Sequence, residues 1–414
     1  MDRCAERLGD AFTLTFAPSG RKIVVLSDPE AVKSVFTAPP EAAPSAAGSS
    51  PIAPIMGPNS VITLTGPEHL RQRRLLLPPF HGERMREYEQ TIVQATRRSM
   101  AEWPLGRPMR LDRRTREITL EVILRAVFGV EAEQMERLRA AITGLIEPVQ
   151  LPALVLFALR RPTLERPKGA IGRALDRLDA LIYEELAQRR SEQDLAERTD
   201  ILSLLLLARD EDGRPMSDEE LRDELVTLLL AGHETTATAV AWAVERLVRH
   251  PDKLARLVAE IDAGEGEEYM QAVVNETLRV RPVVPMVIRL LHEPMRLGRH
   301  ELPAGTRVAP SIYLTNRNPR VYDAPEEFRP ERFLGRAPET FSWIPFGGGI
   351  RRCIGASFAT FEMKLILRTV LGDLAPSLPR GWTELLRRGG EHNRRRAITL
   401  VPAAGARVVW RRRS

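Results

Sequence analysis

One cysteine in this 414-residue chain stands where a sulfur could be put to use. The run Phe346-Gly347-Gly348-Gly349-Ile350-Arg351-Arg352-Cys353-Ile354-Gly355 puts Cys353 between a glycine-rich loop and the predicted start of a helix. A free cysteine is most often a small buried hydrophobe. Here the N–H groups of a helix N-terminus, with Arg351 and Arg352 beside them, favour the thiolate over the thiol. The glycines let the backbone approach something flat or bulky, and Gly355 leaves room on the side of the sulfur. A phosphate loop is excluded, because no Gly-Lys-Ser/Thr follows and the spacing fails the G-x-G-x-x-G pattern. The segment reads as a loop built to present one thiolate.

A second group lies upstream, in Ala231-Gly232-His233-Glu234-Thr235. Glycine in mid-helix costs about 1 kcal/mol relative to alanine, so Gly232 needs a reason. The Thr235 hydroxyl can bond back to the Ala231 carbonyl four residues earlier and loosen the helix there. Glu234 is an acid inside an apolar stretch, where an unpartnered carboxylate is expensive. His233-Glu234 begins a zinc-protease motif, but Ala237 occupies the place of the second histidine, which excludes zinc. Glu276 and Arg279, three apart on a predicted helix, share a face and can pair.

The elements that position these groups are mostly helical. Ser217-Asp218-Glu219-Glu220 has capping-box spacing and starts a helix to about Arg249, where Pro251 stops it. Its middle is apolar all round, which predicts burial. Helical spacing also runs from Glu68 to about Leu186 with proline interruptions, over about Glu267–Arg281, and from about Ile354 to Leu371. Residues 11–27 alternate like a strand pair, and Val283 to Pro310 reads as short strands and turns. Residues 38–60 read as a long loop, and the apolar segment 149–160 reads equally as buried core or as a lid. The fold class is mainly α with a minor β portion, arranged as one domain over 1–414.

Composition narrows the function classes. An apolar fraction of 43% with 28% charged residues is that of a globular protein. The net charge of +6 draws on arginine runs such as Arg394–Arg396 and Arg411–Arg413. No stacking aromatics interleave with them, so they read as a solvated basic face and not as a nucleic-acid site. Two cysteines, Cys4 and Cys353, give no disulfide framework. No signal peptide or membrane span is evident, so a cytoplasmic, reduced, monomeric protein without a membrane anchor is expected.

The Cys353 segment resembles the cysteine-ligand loop of the cytochrome P450 family of haem-thiolate monooxygenases, matching F-x-x-G-x-R-x-C-x-G at every fixed position. Glu276-Thr277-Leu278-Arg279 resembles the family's E-x-x-R helix, Pro330-Glu331-Arg332-Phe333 its P-E-R-F turn, and Ala231–Thr235 the oxygen-binding groove of its long central helix. The resemblance covers nearly the whole chain. One departure is a start near the first strand pair, without the Pro-Gly-Pro lead-in many relatives carry.

The resemblance implies the cytochrome P450 fold and a haem b cofactor whose iron is held by Cys353, with Phe346 and Gly355 shaping the loop. It implies that Ala231 and Gly232 make room for dioxygen, and that Glu234 and Thr235 relay protons to it through water. His69, Arg73, Arg289 and Arg351 would hold the haem propionates, and Arg332 would join Glu276 and Arg279 in a buried structural triad. Breaking such a triad should cost roughly 3–5 kcal/mol. The implied reaction is insertion of one oxygen atom into a lipophilic substrate such as a steroid, terpenoid or fatty acid. Electrons would come from a separate ferredoxin or flavodoxin and its reductase, docking on the basic Arg352 side, since the residues after Gly355 are too few for a fused reductase. The alternatives are a peroxide-driven oxygenase on the same fold and a non-catalytic haem sensor. The Glu234–Thr235 pair weighs against both. The apolar candidate pocket segments are 42–65, 149–160, Leu228–Ala231 and Val283–Val287.

Overall fold

The helix announced by the capping-box spacing runs from Asp218 to Arg249, 32 residues or about 48 Å at 1.5 Å per residue. Ser217 accepts from the Glu220 N–H, and the Glu220 side chain accepts in return from the Ser217 N–H. In this computed structural model, which describes residues 1–16, 20–46, 52–80, 82, 84–129, 132–149, 165–381 and 390–413, that helix crosses the core. Helices Leu111–Phe128 and Ala356–Asp373 pack along it. Most of its side chains are buried. The exceptions in its middle are Leu228, Leu230, Ala231, Gly232, Glu234 and Thr235. Leu228, Ala231, Gly232 and Thr235 recur at helical spacing, so one face of a core helix borders accessible space.

Helices Gly66–Leu76, Arg84–Ala101, Ala132–Val149 and Gly169–Ser191 match the proline-punctuated pattern, and Glu268–Val280 matches the later helical stretch. Strands Ala11–Phe16 and Arg21–Leu26 pair antiparallel as expected. Arg307–Pro310 adds in parallel to the second of them, and Arg289–Leu290 closes a four-stranded sheet. A three-stranded sheet joins Pro108–Arg110, Arg407–Arg412 and Leu374–Ser377, so strands from both ends of the chain are used. Two further hairpins are Met295–Leu297 with His300–Leu302 and Asn393–Arg396 with Thr399–Pro402.

Helices Pro29–Thr37, Ile201–Leu207, Pro251–Ala263 and Ile312–Thr315 lie outside the predicted helical stretches, as do two other short elements. Helix Asp2–Leu8 sits in the polar N-terminal stretch, and Ala53–Met56 forms a helical turn inside the predicted long loop. Both are too short to show a period. The 149–160 segment lies outside the described residues from 150 onward. Among the described residues, no helix is long and apolar enough to cross a membrane.

Candidate active site

The loop that carries Cys353 is fixed from behind by polar contacts. Trp343 Nε1 donates to the Asn275 carbonyl at 3.1 Å, the Ile344 N–H to Asn316 Oδ1 at 2.8 Å, and the Tyr322 hydroxyl to the Ser342 carbonyl at 3.1 Å. The loop closes when the Cys353 N–H donates to the Phe346 carbonyl at 3.0 Å. Phe346 itself packs edge-on against Trp343. The bulky body that the glycines accommodate is Phe36 of helix Pro29–Thr37. A Cβ on Gly348 would enter the Phe36 ring, and one on Gly349 would strike the Phe36 carbonyl. Gly349 also has φ +65°, a left-handed conformation that suits glycine. A Cβ on Gly355, by contrast, would meet nothing within 4 Å, so the space beside the sulfur is open as expected.

Cys353 is accessible, and the protein packed around it still disfavours a charge on its sulfur. Its titration departs from the sequence reading. Burial pushes the thiol above its ordinary range; the Gly355 N–H, Arg352 and Arg73 pull the other way without overcoming it. The helix terminus and the arginines moderate the cost of a thiolate here, but they do not by themselves ionise the sulfur.

Beside the loop the structure gathers cations. His69 and Arg73 share a face of helix Gly66–Leu76, Arg289 comes from the edge strand of the four-stranded sheet, and Arg351 from the cysteine loop. His69 and Arg289 are buried, at 2% and 7% exposure. Two of the four, His69 and Arg351, are shifted by the other cations. Burial, then Arg351, Arg73 and Arg289, lower the His69 pKa to about 4. Burial, then Arg289 and Arg73, bring Arg351 down to about 10, and burial alone does the same to Arg289. Among the described residues no carboxylate lies within ion-pair distance of Arg73, Arg289 or Arg351. Arg351 donates to the carbonyls of Val61, Ile62 and Leu64, and Arg289 donates to that of Ile288. Buried His69 Nδ1 has no hydrogen-bond partner. Burying several like charges without a counter-charge is costly. A flat apolar group bearing two carboxylates, as haem does, fits this set. His69, Arg289 and Arg351 also line one cleft with Phe36 and Gly348.

On the accessible face of the central helix, Thr235 Oγ1 donates to the Ala231 carbonyl at 2.7 Å, as its spacing predicts. Thr119 Oγ1 donates to the His233 carbonyl at 2.9 Å, and His233 Nδ1 bonds the Leu229 carbonyl at 2.9 Å. Side chains thus engage three carbonyls within one stretch of this helix, which weakens its regular ladder. His233 is buried, burial lowers its pKa, and its Nδ1 is engaged by the helix backbone. The neighbour that requires Gly232 is Ile123 of helix Leu111–Phe128: a Cβ would come within 3.1 Å of its Cδ1. Gly232 therefore permits close helix packing, and Ala231 is the accessible member of the pair.

Glu234 is not the isolated acid its sequence context suggests. Its Oε1 accepts from Arg396 Nη1 at 2.8 Å, while Oε2 is buried without a hydrogen-bond partner. Arg396 also donates through Nη2 to Asp112 Oδ2 at 3.0 Å. The reading of Arg394–Arg396 as a solvated face is thereby corrected for Arg396, whose side chain is only 9% exposed. Arg413, in the other run, pairs with Asp262. Nothing local in the sequence marks Arg396, which lies 162 residues beyond Glu234. The signal available was the cost of a lone buried acid, which demands a cation from somewhere.

The structural triad forms as the spacing and the resemblance imply. Arg279 donates from Nε and Nη2 to both Glu276 oxygens at 2.7 and 2.9 Å, and Arg332 Nε adds a bond at 3.1 Å. The remaining Arg279 donors go to the carbonyls of Asn316, Pro325 and Glu327.

Known proteins are similar to this chain in sequence and fold. The family model described as Cytochrome P450 matches residues 1–382. Cytochrome P450 137 of Mycobacterium tuberculosis is 41% identical over 99% of this chain and 85% of its own length. Cytochrome P450 135B1 of Mycobacterium bovis is 40% identical over 98% of the chain and 85% of its own length. Among solved structures, the cyanobacterial CYP120A1 with retinoic acid bound superposes with a TM-score of 0.82 at 25% identity, covering 100% of this chain and 94% of that one. The cytochrome P450DA haem domain superposes at 0.84 with 23% identity, covering 100% of this chain and 92% of that one.

Proposed function

The chain belongs to the cytochrome P450 family of haem-thiolate monooxygenases, and on that premise we propose that it inserts one atom of dioxygen into a lipophilic substrate. The other oxygen atom leaves as water, and two electrons arrive from a separate ferredoxin or flavodoxin. When bound, haem supplies dioxygen activation, with thiolate ligation pushing electron density onto iron and favouring O–O cleavage. Cys353 is the iron ligand in this reading, and His69, Arg73, Arg289 and Arg351 hold the propionates. The observation that carries it is an accessible cysteine beside a buried cationic cluster without an acid.

The chain's own residues divide the remaining work. Thr235, whose hydroxyl proton is engaged by the Ala231 carbonyl, offers its remaining oxygen lone pairs to a water on the accessible face of the helix. Glu234 passes protons to Thr235 through water, with Oε2, which is buried and has no partner, as the oxygen left to carry them. The accessible apolar residues Leu228 and Ala231 and the half-buried Val284–Val287 would exclude bulk water and favour an apolar substrate. The structural relative that binds retinoic acid supports that substrate class. Exposed Arg352, beside the cysteine, gives an acidic electron carrier a docking contact.

The test is turnover of a steroid, terpenoid and fatty-acid panel with ferredoxin, its reductase and NADPH, against hydrogen peroxide alone. Carrier-dependent hydroxylation of an apolar member supports the proposal. Turnover with peroxide only favours the peroxide-driven alternative.

A further inference from the structure

Arg396 does work that its place in the chain does not announce. It is the last residue of strand Asn393–Arg396 and faces Thr399 across a tight hairpin turn. The hairpin is fastened to the core at two points. The Leu400 N–H donates to the Val283 carbonyl at 2.7 Å, and Trp242 Nε1 donates to the Leu400 carbonyl at 3.0 Å. Trp242 belongs to the central helix, two turns beyond Thr235. The guanidinium is therefore presented by a rigid element and not by a free arm.

That guanidinium bridges two carboxylates of unequal need. Asp112 already accepts from Arg110 Nε and Nη2 at 3.2 and 3.0 Å, with Arg116 at 3.8 Å. Glu234 has no ion-pair partner but Arg396 among the described residues. The planar fork takes one oxygen of each, so Asp112 fixes the fork's orientation and the fork fixes Glu234. Glu234 is left with Oε1 tethered and Oε2 buried without a partner.

We propose that Arg396 is a positioning residue for proton delivery, tethering Glu234 by one oxygen so that the other serves Thr235. This rests on the reading of Glu234 and Thr235 as the relay, and it adds a component from the far end of the chain. The hairpin thereby becomes part of the machinery that couples electron consumption to product. A rigid tether matters because misplacement by about 1 Å in such a constellation costs on the order of 10²-fold.

Arg396→Gln, studied in the intact haem-loaded protein with its carrier proteins, tests this. The expected result is a roughly tenfold fall in product formed per NADPH, a modest part of the roughly 10²–10⁴-fold that a positioned acid–base group supplies. The solvent deuterium isotope effect on kcat should rise while KM stays unchanged. In the resting protein, the infrared carboxylate band that disappears on Glu234→Gln should shift in Arg396→Gln. A merely structural role would lower stability while leaving coupling, the isotope effect and the band at wild-type values, and that result would overturn the proposal. If Arg396→Gln does not fold, Arg396→Lys decides. It keeps the charge but cannot bridge both carboxylates, so its isotope effect must exceed that of the wild type, and equality refutes the tether. Glu234→Gln separates the two layers. If it leaves coupling intact, the relay reading itself falls. If it uncouples turnover while Arg396→Gln does not, only the tether falls.

Discussion

Replacing Glu276 with glutamine is the sharpest probe of how the cysteine loop is held. Both Glu276 and Arg279 are fully buried. The carboxylate accepts four hydrogen bonds: two from Arg279 at 2.7 and 2.9 Å, one from the Arg329 N–H at 2.7 Å and one from Arg332 at 3.1 Å. Glutamine keeps the volume but removes the charge and turns one acceptor into a donor facing guanidinium groups. Leaving a buried cation uncompensated costs about 3–5 kcal/mol. At the roughly 2 °C per kcal/mol suited to a large domain, the melting temperature should fall by about 6–10 °C. Urea titration of wild type and variant, with m unchanged, measures the difference directly. Because the triad's bonds run to Asn316, Pro325, Glu327 and Arg329 and not to the cysteine loop itself, variant protein that folds in the cold should keep the wild-type haem spectrum. A loss under about 1 kcal/mol would show that the triad is not what secures this region.

Three further outcomes follow from other sites. Thr235→Ala should still consume NADPH but release hydrogen peroxide in place of product, and wild-type coupling in that variant would contradict the relay. Glu362, fully buried and raised by that burial to about pH 8, is protonated in the fold but ionised above about 4.5 in the unfolded chain. Stability should therefore be complete below pH 4.5, fall as pH rises and level off near 8, amounting at pH 7 to 2.5 units of about 1.4 kcal/mol, or roughly 3 kcal/mol. Glu362→Gln should abolish that slope between pH 5 and 8 in thermal unfolding, and an unchanged slope would place its origin elsewhere. Gly349→Ala, with φ at +65° and the Phe36 carbonyl in the way, should fail to retain haem or should lose more than about 2 kcal/mol, whereas Gly372→Ala, with nothing within 4 Å, should be near neutral in the same assays.

What was legible in the sequence were features with a short period or a fixed local spacing. The capping box located the start of the central helix to the residue, Thr235 found its carbonyl four residues back, and Glu276 met Arg279 three residues on. Features made by chain segments far apart were not legible. Arg396 looked like one of several solvated arginines because its partners Asp112 and Glu234 lie 284 and 162 residues away. The glycines of the cysteine loop suggested a close approach, but only the fold shows that the approaching body is Phe36. Gly232 called for a reason, and only the fold shows that Ile123 packs beside it. The thiol shows the same limit in electrostatics: the favourable helix terminus and arginines are visible locally, while the opposing burial is a property of the whole molecule.

The measurement closest to the central claim is the absorption spectrum of the reduced, carbon-monoxide-treated protein, beside that of Cys353→Ala. Wild type should show the strongly red-shifted Soret band of thiolate-ligated haem, and the variant should lose it even where haem is retained. A globin-like band in fresh wild-type protein, or a variant spectrum identical to wild type, would mean that the iron is not held by Cys353.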